Sequence, residues 1–113
     1  MMDAAQLTRK LVLETPVRIG DGAGGFTQTW QALGALWAHV SAKGVSERAH
    51  AGGTLSTLRH EITVRNAPIG DDQRPKPEQR FVEGTRIFII ETVAEADAFG
   101  RFLTCVAREE GLT

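Results

Sequence analysis

The stretch 20–40, GDGAGGFTQTWQALGALWAHV, constrains this chain more than any other part of it. A glycine-rich turn opens directly into a long apolar segment that carries both tryptophans, Trp30 and Trp37. Glycine reaches positive φ without a Cβ penalty, and large side chains beyond such a turn pack a sheet face, as when a β-hairpin enters its longest strand. A helical reading also exists, with Leu33, Leu36, Trp37 and Val40 at i, i+3, i+4 and i+7. No capping residue adjoins the apolar run, so the strand reading over 26–40 is preferred. Gly34 then marks a bulge that lets a long strand bend. The tryptophans lie on opposite parities of a continuous strand, and a bulge at Gly34 puts both on one face.

The remaining elements follow from period-2 alternation and turn punctuation. Residues 7–15 read as a half-buried strand, ended or made an edge by Pro16. A turn is expected over 18–25. Residues 58–66 give the clearest strand, with Leu58, His60, Ile62 and Val64 alternating against Arg59, Glu61, Thr63 and Arg65. A short strand at Phe81 turns through Gly84 into a β-branched strand over 86–93, and the last strand spans 101–108. The tail 109–113 is expected to fray. Two stretches read as loops. Residues 41–57 are small and polar, with room for one or two helical turns at 46–51, and 67–79 hold three of the four prolines. Five to six short strands without a dependable helix predict an all-β fold. A small antiparallel barrel is the economical closure, with a long loop between the second and third strands. An open sandwich is the other architecture.

At 113 residues the chain is one domain, 1–113, and its charged fraction of 24% is that of a globular protein. The net charge of −1 argues against a dedicated nucleic-acid binder. Cys105 is the single cysteine, so no internal disulfide is possible. No apolar run approaches the length of a signal peptide core or a membrane span, and a soluble, reduced, cytoplasmic protein is expected.

No catalytic, metal or cofactor signature emerges. GDGAGG lacks the Lys-Ser/Thr ending and the helix that a phosphate loop needs. His39, His50 and His60 are too scattered for zinc. His60 lies on the apolar parity, where a hydrogen-bonded core or interface histidine is the ordinary explanation. Cys105 falls on a buried parity and reads as a small hydrophobe. Asp71-Asp72 and Glu109-Glu110 read as solvated charge.

Several segments nonetheless resemble, in consistent order, the phage head-tail joining family of head-closure or stopper proteins. They are Leu7, Arg9, Leu11 and Leu13; Asp21, Gly22 and Gly25; Trp30; Trp37-Ala38-His39-Val40; Glu47-Arg48; His60-Glu61-Ile62-Thr63-Val64-Arg65; and Gly84 through Ile90. Phe88 stands where the family's pattern has a tyrosine. The resemblance implies a small β-barrel, in roughly six or twelve copies, forming a ring at the head-tail interface of a phage or of a phage-like particle such as a gene transfer agent. Portal and adaptor proteins would lie on one side, and tail terminator or tail tube proteins on the other. DNA would pass through the axis without sequence-specific binding, and particles would assemble in the bacterial cytoplasm, with no membrane, metal or cofactor involved. The loop 41–57 would face the channel and help close it, making Lys43, Gly44, Glu47, Arg48 and His50 candidate channel residues. Candidate inter-subunit contacts are Trp30, Trp37, Arg59 and Arg65.

Two other functions are open at this point. One is a nucleic-acid-binding barrel of the OB or SH3-like type, with Arg59 and Arg65 on the backbone. The other is a small enzyme using Cys105.

Overall fold

The computed structural model describes residues 3–50 and 53–110, and only the backbone course for residues 46–50 and 53–56. A 3₁₀ turn, Ala4–Gln6, is capped reciprocally by Asp3 and Gln6. Six strands follow: β1 (Arg9–Gly20), β2 (Phe26–His50), β3 (Gly53–Arg65), β4 (Arg80–Glu83), β5 (Arg86–Glu95) and β6 (Phe102–Glu110). Every pairing is antiparallel, and the order β1-β2-β3-β6-β5-β4 closes on itself as a barrel.

Alternation explains the interior. Leu11 and Leu13 of β1, Ile62 and Val64 of β3, Phe81 of β4, Phe88 and Ile90 of β5, and Leu103, Cys105 and Ala107 of β6 form one buried cluster. Such interdigitated burial of large apolar side chains is what holds a small barrel together.

The strands differ greatly in length, and the long ones overshoot the wall. β1 pairs with β4 only over Val12–Glu14, so beyond Glu14 it has β2 alone as neighbour. Pro16 falls in that stretch, where a missing donor costs no ladder bond on the open side. β3 loses β6 before Arg59, and β2 loses β1 after Ala38. From Ser41 to His50 and from Gly53 to Leu58 the two strands have only each other among the described residues.

This arm is the main departure from expectation. Residues 41–57 were expected as a loop with helical turns at 46–51, yet the described part is strand, in register from Ala42↔His60 to His50↔Gly53. The cause is exposure on both faces: Ser41 through Val45 are all exposed. A ribbon with no buried face needs no apolar alternation, so its sequence looks like a loop. Two further boundaries differ. Residues 18–20 belong to β1 rather than to the turn, and Glu109 lies within β6 rather than in a frayed tail. Residues 111–113, the end of that expected tail, lie outside the described residues.

β2 does bend at Gly34. Its register against β1 shifts between Leu13 and Glu14, leaving Leu33 unmatched, and Gly34 has φ 147°. The shift puts both tryptophans outside. Trp37 pairs with exposed Lys10, and Trp30 lies beside Arg80, which pairs in register with Glu14. Gly34→Ala would force a side chain into left-handed backbone and bring its Cβ to 2.6 Å from Gln73 Nε2. We expect a loss of about 1–3 kcal/mol in urea unfolding, with Trp fluorescence reporting a changed environment.

Candidate functional site

The barrel end from which the arm departs is closed by charge. Five inward-facing positions, one from each of five strands, carry Arg9, His60, Glu83, Arg86 and Glu109. Arg9 Nε donates to Glu83 Oε2 at 3.0 Å, and Arg9 Nη2 donates to the other oxygen. Arg86 grips Glu109 with two bonds, 2.8 and 3.0 Å. His60 Nε2 lies 2.8 Å from Glu109 Oε1. The side chains of His60 and Glu109 are only 7% and 5% exposed. Phe88 meets the imidazole edge-on at 5.1 Å, and His60 Nδ1 is buried without a hydrogen-bond partner.

Electrostatics keep these carboxylates ionised. The hydrogen bond from Arg86 holds Glu109 below the usual carboxylate range, against burial, and His60 adds to it. Arg9 does the same for Glu83. Paired charge at the mouth satisfies polar groups that an apolar barrel would strand. It also braces the base of the arm, since His60 is the register partner of Ala42.

The predicted residues divide into several environments. Lys43 reaches Glu61 at 3.4 Å, both half exposed, and Gly44 lies at a second bulge with φ 149°. The backbones of Glu47, Arg48 and His50 pair with Ser56, Leu55 and Gly53, while the side chains of these residues lie outside the described set. Trp30 is half-buried under the Arg80 guanidinium, 4.1 Å from the ring centre, and Arg80 is bonded to Glu14 at 2.7 Å. Arg59 is held by Glu91 through bonds of 2.7 and 3.2 Å, with Arg108 on the same carboxylate. That engagement weighs against Arg59 as a phosphate contact. Trp37 and Arg65, by contrast, share the lining of one surface hollow.

Sequence reasoning treated Glu109 as solvated, named Arg9 and Arg86 only within the resembling segments, and gave Glu83 no role. Their signal was a charge on the inward parity at a strand end: 9 with 11 and 13, 109 with 103, 105 and 107. Among the described residues no group of three or more His, Cys, Asp or Glu is placed to hold a metal, and no helix is long and apolar enough to cross a membrane.

Comparison with known proteins adds to this geometry. The family described as phage head completion protein matches residues 2–110. A chain in the structure "Virion of native gene transfer agent (GTA) particle" is 53% identical, with a TM-score of 0.81 over 94% of this chain and 96% of that one. The solution structure of protein SF1141 from Shigella flexneri 2a shares the fold, with a TM-score of 0.67 and 19% identity over 99% of this chain and 100% of that one. No curated protein matches the sequence significantly.

Two outcomes follow from the charges and from the thiol. Glu83 and Glu109 bind protons less readily folded than unfolded, so their stabilisation is complete above the usual carboxylate range. It is lost as pH falls through their lowered folded values. Melting temperature should drop from about pH 5 downward, and Glu109→Gln should flatten that drop while lowering stability at neutral pH. Burial pushes the Cys105 thiol up to about 12, so iodoacetamide should leave it unmodified in folded protein and label it on unfolding.

Proposed function

The chain belongs to the phage head completion protein family, and from that premise we propose that it is a structural, non-enzymatic subunit of the head-tail junction of a phage-like particle. In this reading its copies, roughly six or twelve, close into a ring by heterologous contacts. The ring joins the portal-adaptor complex to the tail terminator or tail tube, and DNA passes along its axis without sequence readout. The 53% identical chain in a gene transfer agent virion supports a place in such a particle.

The observation that carries the gating role is the arm. A rigid barrel supplies the wall, while a two-stranded ribbon projects beyond it, exposed on both faces from Ser41 to Val45. Two strands alone are marginally stable in water, and the bulge at Gly44 gives the ribbon a place to bend. Such an arm can lie across a channel or along its wall at little energetic difference. Lys43, Glu47, Arg48 and His50 are its polar material. The net charge of −1 suits a wall past which DNA must slide, since a basic surface would retain it.

Replacing residues 43–57 by an Asn-Gly turn tests the reading. The barrel should keep its cooperative melting, because no described residue of the replaced segment belongs to the core cluster. Particles built with the shortened chain should assemble and then lose packaged DNA, measured by nuclease sensitivity. Full DNA retention with the shortened chain in place would sink the gating role, and absence of the chain from finished particles would sink the structural one.

A further inference from the structure

The outer face of the barrel carries an apolar hole with a cationic rim. Trp37, 57% exposed, pairs in register with Lys10 of β1. Arg65 of β3, next to Val64 whose register partner is Ala38, lines the same hollow as Trp37. Lys10 and Arg65 are exposed, and neither makes an ion pair among the described residues. Beside the indole is a hollow of about 470 Å³ lined by Ala4, Leu7, Thr8, Trp37 and Arg65. Other cations of this barrel are held by neighbours, as with half-buried Arg59 on Glu91 and exposed Lys43 on Glu61. An exposed indole between two uncommitted cations is a surface shaped for an apolar group that brings negative charge.

The same chain carries the complement elsewhere. In the loop between β3 and β4, Ile69 is 89% exposed, more than any other large apolar side chain described. Asp71 and Asp72 follow it, exposed and without ion pairs among the described residues. The loop is held in shape, not loose. Asp71 N donates to Pro68 O at 3.0 Å, Gln73 N to Asp71 Oδ1 at 2.8 Å, and Arg74 N to Asp71 O at 3.0 Å. Arg74 in turn donates to Asn66 and Ala67. A preorganised turn that holds an isoleucine in water, with two carboxylates next to it, loses little entropy on docking.

We propose that the Ile69 knob of one copy docks into the Trp37 hollow of a second copy of this chain, with Asp71 and Asp72 meeting Lys10 and Arg65. Knob and hole are different patches, so the contact is heterologous and propagates from copy to copy until it closes. This deepens the ring reading above and rests on it for its biological meaning. The two fail separately. A chain absent from particles removes the ring and leaves the contact, whereas a chain present in particles but inert toward itself does the reverse.

The test uses ¹⁵N-labelled full-length protein and sedimentation velocity at low salt, up to about 1 mM, where even weak contacts are half-formed. Expected is concentration-dependent association with a moving Trp37 indole N–H signal. Ile69→Asp (knob removed) and Trp37→Ala (hole removed) should each weaken association at least about tenfold, with unchanged melting. Mixed together, these two variants should form a one-to-one complex, because each retains the half the other lacks. Lys10→Glu with Arg65→Glu should abolish association, and Asp71→Lys with Asp72→Lys in the partner should restore it. The proposal is overturned by a wild-type chain that stays monomeric throughout, by variants that associate as the wild type does, or by a mixture that stays apart. It is equally overturned if the indole signal answers to oligothymidylate and not to protein concentration, which would give the hollow to nucleic acid.

Discussion

The structure depends on one short closure. β4 is four residues long, and it alone joins β1 to β5, with Val12–Glu14 on one side and Ile87–Ile89 among its partners on the other. Closing a sheet satisfies its edge hydrogen bonds and dries its interior. The buried cluster from Leu11 to Ala107 exists because those three pairs complete the circle. The other strands are far longer, up to 25 residues in β2. A closed wall built with one short stave leaves the ends of the long strands without second neighbours. The arms are thus a consequence of strand-length mismatch, and the outward projection of residues 41–50 and 53–58 needs no separate cause.

A barrel with overshooting strands has a mouth that must end in water and support a lever. Apolar residues there would expose the core, and unpaired polar groups would be stranded. Two interlocked ion pairs, Arg9–Glu83 and Arg86–Glu109, answer both needs. His60 joins β3 to Glu109 of β6 at the level where the arm begins. An exposed surface pair such as Lys43–Glu61, with both side chains about half exposed, contributes little. The mouth cluster differs because Glu109 and His60 are enclosed, so its hydrogen bonds act in a medium that water does not fully screen.

Much of the barrel was legible because one-sided burial writes a period of 2 into a strand. β3 is a case in point: His60, Ile62 and Val64 are buried on the parity read from sequence, although Thr63 on the other parity is buried as well. The bulge at Gly34, and its effect of turning both tryptophans to one face, was legible as a condition because a glycine inside a long strand has few other uses. The arm was not legible, since two-sided exposure removes the period and leaves a composition that loops share. The mouth cluster was hidden for a different reason. Arg9 and Glu109 sit on inward parities, but only three-dimensional closure brings positions 9, 60, 83, 86 and 109 to one ring. The hollow at Trp37 needed the pairing of β2 with both β1 and β3, which brings Lys10 and Arg65 near Trp37.

With the proposed contact between copies, the Trp37 surface and the mouth cluster divide association from stability. Charges that hold the fold are paired within the chain and largely withdrawn from solvent, as at Glu109. Lys10, Arg65, Asp71 and Asp72 are exposed and make no ion pair among the described residues, and each set lies beside an apolar group that the fold leaves in water. A monomer gains nothing from either arrangement: Trp37 and Ile69 raise the risk of non-specific association, and unpaired charges add no folding energy. Both become favourable only if the two surfaces meet. A subunit that must fold alone and assemble later is better served by this division than by a sticky core, because the assembling surfaces can change without weakening the barrel beneath them.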